Sequence, residues 1–365
     1  MTATRGRGLS ALAAIGVVLA LAGSGGGEQP AAGPEAKPAA PPEQLRLIEG
    51  LLRLRGKDYA AARDAIVGTV AEQQLVEVRE AAKDPLVALV CDGLLWRQRN
   101  PKTAALLDKH GQNPCLAGTF SPPGATGQEL WGDHGPVVTR ISCFGPEAFP
   151  ALAEHLLYES RPLFYRLDLI ETLVELRDAR VVGVLLALAA RADEEPRVRA
   201  AAVWRLEKCL SGVPALSMPY AVGKNPLGVG PSVIAELAGL AKPVQLAGLE
   251  VRDPQRAGAL KALAGTLAAD KDERVRALAA RALRGGDATS VPALAAAVAG
   301  DESPWVRTWC ADTLKRLGTP EAAKALEAAR AAEKHAEVLA VLEGREAAAL
   351  PEQGLPGKSI LRNRQ

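Results

Sequence analysis

Aromatic residues are scarce in this chain. It has 4 Phe, 4 Tyr and 5 Trp among 365 residues. Its core must therefore be built from Ala, Leu and Val, whose small side chains suit closely stacked helices better than a sheet sandwich. An excess of charge of either sign is also missing. With 44 Lys+Arg against 42 Asp+Glu the formal net charge is +2. That excludes a protein whose main task is gripping nucleic acid, because phosphate neutralisation needs surplus cations. Catalytic signatures are lacking too: there is no Walker loop, no G-x-G-x-x-G after a strand, no H-E-x-x-H and no G-x-S-x-G elbow. What remains, 48% hydrophobic and 24% charged residues, is the composition of an ordinary globular chain and excludes a wholly disordered one.

One apolar run stands out, Leu9 to Leu21, broken only by Ser10 and Gly16, preceded by Arg5 and Arg7 and followed by Ala20-Leu21-Ala22 and Gly23-Ser24-Gly25. Basic start, apolar centre and A-x-A ending are the three parts of a secretory signal peptide. The run is shorter than the roughly 20 residues a comfortable membrane-spanning helix needs. Cleavage after Ala22 is expected, with an uncleaved signal anchor as the alternative and membrane contact only in that second case. Leu21-Ala22-Gly23-Ser24 resembles a lipobox, but Ser24 stands where a lipoprotein needs Cys. Residues 23–44 follow, with Pro30, Pro34, Pro38, Pro41 and Pro42 among Ala, Gly and Glu. Such a stretch cannot bury enough apolar surface to fold and reads as a spacer. The expected destination is the periplasm or cell envelope.

From residue 145 onward a repeat is visible. Asp193-Glu194-Glu195-Pro196-Arg197-Val198-Arg199, Asp270-Lys271-Asp272-Glu273-Arg274-Val275-Arg276 and Asp301-Glu302-Ser303-Pro304-Trp305-Val306-Arg307 share one pattern, each with a Leu eight residues after the Val: Leu206, Leu283 and Leu314. A partial copy keeps Tyr165-Arg166 and Leu173. The spacing is 33 residues from Arg166 to Arg199, 77 from Arg199 to Arg276 and 31 from Arg276 to Arg307. Fixed periods of this size signal a solenoid, and the 77-residue gap holds either an insertion or a degenerate unit. Each unit reads as two helices. The second starts at a capping position (Glu195, Asp272 or Ser303), with Pro196 and Pro304 at the first helical position. Its apolar stripe is Val198-Ala202-Leu206, Val275-Ala279-Leu283 or Val306-Cys310-Leu314. The first helices are centred on Leu152, Leu185, Leu263 and Leu294, and Thr319-Pro320-Glu321 opens a last, altered unit running to Leu342.

The D-x4-V-R-x7-L pattern, present three times, resembles the HEAT-repeat family over residues 145–343, in particular its short bacterial form, the phycobilisome-lyase HEAT-like repeat. The resemblance implies stacked antiparallel helix pairs with a polar ladder between units, here Asp193, Asp270 and Asp301 with Arg199, Arg276 and Arg307. It transfers no activity. The fold class expected is all-α: a HEAT-like α-solenoid with an irregular N-terminal helical cap and two long loop insertions. The expected organisation is 1–22 signal segment, 23–44 linker, 45–99 cap, 100–144 first insertion, 145–343 repeats interrupted at 210–253, and 344–365 tail. Within the cap, helices are expected over Leu45–Leu54, Tyr59–Val70 and Leu86–Trp96.

Among the five cysteines, Cys115 and Cys143 flank the first insertion and form the expected disulfide in an exported protein, with Cys91 able to replace either. Cys209 and Cys310 fall on apolar stripes and read as core residues. His110, Cys115, His134 and Cys143 are ligand types suited to zinc, but the short C-x2-C or H-x3-H spacings are missing. The expectation is no metal and no cofactor. Asp133-His134 with Ser121 and Ser142 makes no recognisable triad, and the Gly223-Lys224-Asn225 stretch lacks phosphate-loop spacing. Trp204, Trp305 and Trp309 lie off the buried stripe. They are candidates for contact with a partner, against the alternative of packing between repeats. The function expected is a non-enzymatic scaffold in the bacterial envelope that binds another protein, with no nucleic acid. The competing classes are an enzyme or metal protein with its site in the 100–144 insertion, and a structural spacer.

Overall fold

The computed structural model describes residues 42–110, 146–159, 163–211, 216–218, 244–246, 249, 251 and 255–344. The signal segment, almost all of the linker, the span from 111 to 145 and most of the second insertion lie outside the described residues, as does the tail beyond 344. The chain divides into two units whose boundary falls between Leu169 and Ile170.

In the first unit the helices are α1 (Pro42–Leu51), α2 (Gly56–Thr69), α3 (Glu72–Ala81), α4 (Pro85–Arg99), α5 (Pro101–His110) and α6 (Phe149–Tyr158), followed by the start of α7 (Leu163–Glu175). Helix α4 is the hub against which α1, α2, α3, α5 and α6 pack. Its start is sharply set: Asp84 accepts a hydrogen bond from the Leu86 amide at 2.8 Å, and Pro85 fills the first turn, where a missing N–H costs nothing. Apolar residues then cover most of its circumference, and Val87, Val90, Cys91, Leu94 and Trp96 are all buried. A helix apolar nearly all round belongs in an interior. Two features depart from the sequence expectation. Residues 101–110 are helical rather than the opening of a loop, and α3 is an additional helix whose Leu75 and Val78 anchor it while much of its surface stays exposed.

The second unit contains four helix pairs among its described residues: α8 (Val181–Ala189) with α9 (Pro196–Leu210), α10 (Gln255–Ala269) with α11 (Glu273–Ala282), α12 (Val291–Gly300) with α13 (Pro304–Leu317), and α14 (Pro320–Ala332) with α15 (Ala336–Leu342). The first helices pack in one layer and the second helices in another, each touching its predecessor. This is an α-solenoid. The stripes Val198-Ala202-Leu206, Val275-Ala279-Leu283 and Val306-Cys310-Leu314 are fully buried between the layers. One pair alone could not cover these stripes, so stacking is what stabilises them. Gly318, at φ +63°, ends α13 in the left-handed conformation that favours glycine. Thr319 then caps α14 by accepting from the Ala322 amide at 3.2 Å.

Helix α9 packs directly on α11. The 77-residue gap therefore holds an insertion between neighbours, not a degenerate unit. Its described part is a short antiparallel pair, β1 (Leu216–Met218) and β2 (Val244–Leu246), in register Leu216↔Leu246. Among the described residues no helix is long and apolar enough to cross a membrane.

Candidate functional site

Two groups of charged residues are built into the molecule, one in each unit. In the first unit, α2 supplies Arg63, α4 supplies Arg97, α5 supplies Asp108, and α6 with its end supplies Glu154, His155 and Glu159. Arg63 donates to Glu159 at 2.5 Å and to Asp108 at 3.3 Å. Arg97 donates to both Asp108 oxygens at 3.0 Å, lies 3.4 Å from Glu154 Oε2 and 3.1 Å from His155 Nε2. Both guanidiniums are 3% exposed and Glu154 and His155 are fully buried, whereas Asp108 is 30% exposed. Water thus reaches the group from the Asp108 side.

The electrostatics divide Asp108 from Glu154. Burial alone would raise Asp108, but the His155 hydrogen bond and the Arg97 and Arg63 charges outweigh it and hold its carboxyl well below the usual range. For Glu154 burial wins over Arg97 and Arg63, with Glu159 adding to it, and the carboxyl is pushed up to about 7. Among the described residues Glu154 Oε1 has no hydrogen-bond partner, and it faces Gly93, where an added Cβ would lie 1.8 Å from it. Glycine at that position is what lets α6 bring a carboxylate against α4. Tyr59, stacked on Tyr158 at 4.8 Å, is also buried, and burial followed by the Glu154 and Tyr158 charges raises its hydroxyl.

Ligating atoms of Asp108, His155 and Glu159 all lie within 4.8 Å of one another, a spacing compatible with a metal ion. The arginines argue for a different role. Arg63 and Arg97 already occupy the oxygens of Asp108 and Glu159, with Asp64 also on Arg63, so an ion would have to displace two buried guanidiniums from their carboxylates and leave them unmatched. The group is best understood as a buried ion network that fastens α2, α4, α5 and α6 together.

In the second unit, conserved geometry repeats from pair to pair. Arg199 donates to Asp270 at 2.9 and 3.0 Å and to its own turn at Glu194 O, 2.5 Å. Arg276 donates to Asp301 at 2.8 and 3.0 Å and to Asp270 O at 2.9 Å. Arg307 donates to Glu333 at 2.7 and 3.1 Å and to Asp301 O at 2.8 Å. Each arginine thus ties its own turn to the carboxylate of the next pair. The Asp also organises the helix start behind it: Asp270 accepts from the Asp272 amide at 2.8 Å and Asp301 from the Ser303 amide at 2.9 Å. Ser303 and Glu195 make no side-chain cap, contrary to expectation; Asp272 does, accepting from the Arg274 amide at 2.9 Å. Among the described residues no rung includes Asp193, which is exposed. Glu194 takes over its local role by accepting from the Glu195 amide at 2.7 Å. The missing partner at the other end is Glu333, whose carboxyl the Arg307 hydrogen bond holds down at about 2.

The three tryptophans are half-buried on the second-helix layer: Trp204 on α9, and Trp305 and Trp309 one turn apart on α13. Arg205 lies 4.1 Å over the Trp204 ring, and Arg281 and Arg284 lie 5.3 and 5.4 Å over that of Trp309. Arg205 also pairs with Glu171.

A family model of HEAT repeats matches residues 255–344. The matched span covers α10 to α15, the part where the rungs are most regular, and the α8/α9 pair joins the same layers upstream of the insertion. No curated protein matches the sequence significantly. Among solved structures the chain is similar to human deoxyhypusine hydroxylase in complex with glycerol, at 16% identity over 82% of this chain and 94% of that one, with a TM-score of 0.22. A score that low carries no residue correspondence.

Cys115, Cys143 and His134 lie outside the described residues, as do Ser121, Asp133, Ser142 and the Gly223-Lys224-Asn225 stretch; His110 ends α5. Cys91 is a buried free thiol on α4, pushed up to about 12 by burial and then by Asp92. Cys209 and Cys310 are buried between the helix layers of the second unit. Sequence reasoning missed the whole ion network of the first unit. It also missed Glu333, although Glu333 precedes Val338 by the same five positions that separate Asp270 from Val275.

Proposed function

We propose that this chain is an exported, non-enzymatic HEAT-repeat protein that serves as a protein-interaction scaffold in a bacterial cell envelope. The observation that carries this reading is the stacked HEAT layer that leaves Trp204, Trp305 and Trp309 half-exposed on one set of helices, a preformed surface of the type that binds another protein. The repeat pattern is of the short, phycobilisome-lyase-like form, and the apolar run behind Arg5 and Arg7 supports export. A disulfide between Cys115 and Cys143 would hold the first insertion closed in an oxidising compartment.

The test is in-cell crosslinking of the tagged full-length protein, with fractionation and mass spectrometry. An envelope fraction carrying one abundant crosslinked protein supports the reading. Recovery from the cytoplasm, or from the periplasm with no partner, overturns it. A deletion that asks whether the first insertion adds specificity should remove 111–145 and spare Asp108, because a cut at residue 100 also takes a carboxylate out of the buried network.

A further inference from the structure

The tryptophan face of the second unit carries more hydrogen-bond donors than acceptors. Arg281 pairs with Glu207 at 2.9 Å. Arg284 and Arg316 both donate to a single oxygen, Asp312 Oδ2, at 2.5 and 3.1 Å. Three guanidiniums therefore share two carboxylates, around an indole that two of them cover. Within the same cluster Arg284 Nε and Trp309 Nε1 have no hydrogen-bond acceptor among the described residues. Burial, with Arg316 and Arg281 beside it, outweighs Asp312 and Glu207 and holds the Arg284 guanidinium below its ordinary value. Like charges have been crowded here without a full set of counter-charges. Arg316 stays 59% exposed, and Arg281 and Arg284 about a quarter exposed, so the cluster opens to solvent.

We propose that Arg281, Arg284 and Arg316, set around Trp309 on the second-helix layer, form the docking point for an acidic peptide segment of a partner protein. The inference rests on the scaffold reading and names the chemistry of its partner. A carboxylate entering beside Arg284 and Arg316 supplies the acceptor that Asp312 must otherwise divide between them, in the two-pronged geometry that guanidinium favours. The half-exposed Trp305 and Trp309 rings give an apolar neighbour a place to pack. The resident carboxylates choose between classes of anion. Glu207 and Asp312 leave the cluster with a surplus of one positive charge, enough for an isolated carboxylate on a peptide and too little to neutralise the run of phosphates that a nucleic-acid backbone presents.

The experiment is fluorescence anisotropy with the full chain and a labelled Glu-rich peptide carrying a central Phe, against its Gln isostere and a single-stranded oligonucleotide. The Glu peptide should bind, the Gln peptide should not, and added salt should weaken binding. Arg316→Gln, a surface change that leaves the core untouched, should weaken it about tenfold, as loss of one charge-assisted contact does. Asp312→Asn should instead tighten it several-fold, because the internal competitor is gone; a purely structural Asp312 would give no such gain. Equal binding of the Glu and Gln peptides, indifference to Arg316→Gln, or preference for the oligonucleotide overturns the proposal. The two readings fail separately. Absence of any crosslinked partner removes the scaffold, whereas a partner whose capture survives Arg284→Gln with Arg316→Gln leaves the scaffold standing and removes the acidic docking point.

Discussion

The two units hold their buried arginines in opposite ways. In the second unit each rung keeps a private carboxylate: Arg199 meets Asp270, Arg276 meets Asp301 with Glu302 at 3.3 Å, Arg307 meets Glu333, and each arginine also holds the carbonyl of its own turn. In the first unit the charges are held in common. Asp108 alone serves Arg63, Arg97 and His155, and Arg97 reaches three partners. A private rung can be lost with local damage, because its neighbours keep their own partners. A shared network fails as a whole, because removing one member leaves several buried groups unmatched.

The largest effect should come from breaking the shared network at its centre. Arg97→Ala leaves Asp108 and the buried Glu154 without their main counter-charge and should cost about 3–5 kcal/mol in urea unfolding. A loss comparable to an exposed ion pair, under about 1 kcal/mol, would show that the network does not act as one.

Glu154 sharpens the contrast through pH. Its folded value of about 7 lies above the ordinary 4.5, so between those limits the folded protein binds the extra proton. Stability therefore falls as pH rises from about 4.5 to 7, by up to about 3 kcal/mol, and levels off above. Glu154→Gln should remove that slope, which thermal unfolding across this range reads directly. Gly93→Ala places a methyl group against the same side chain and should cost about 1–3 kcal/mol. Adding Glu154→Ala to it should restore less than additively if the two sites touch as described.

The rungs should respond more mildly. Glu333→Gln weakens the last one and should cost about 1 kcal/mol at neutral pH. Its folded value of about 2 lies below the ordinary 4.5, so this contribution is present above pH 4.5 and fades as pH falls toward 2. Hydrogen exchange should show the loss confined to α14 and α15. Smallest of all is Asp193→Asn, expected within about 0.5 kcal/mol, since the residue is exposed. A cost as large as that of a buried rung would return Asp193 to the ladder.

Most of the second unit was legible in the sequence because a solenoid writes its contacts at a fixed period. The stripe at Val275, Ala279 and Leu283 and the Asp270–Arg276 pattern recur with each turn of the stack, so repetition alone identified them. Asp193 fell outside because it opens the series of described rungs and its neighbour Glu194 meets the local need. Glu333 was overlooked because the last copy has Leu339 where the others carry arginine. The first unit has no such period. Arg63, Arg97, Asp108 and Glu154 are spread over almost a hundred residues, and each in isolation resembles a solvated charge on a helix.

The sequence by itself determined the helical class, the Ala- and Leu-rich core, the direction of the repeat stack and the position of its arginines. These follow from composition and local period, which are properties of neighbouring residues. Only the tertiary structure decided that α9 and α11 touch across the long insertion, that Gly93 makes room for Glu154, and that three guanidiniums meet over Trp309. Each of those depends on which distant helices come to share one buried or half-buried space, and burial is what turns a charge from a solvated ornament into a partner that must be matched.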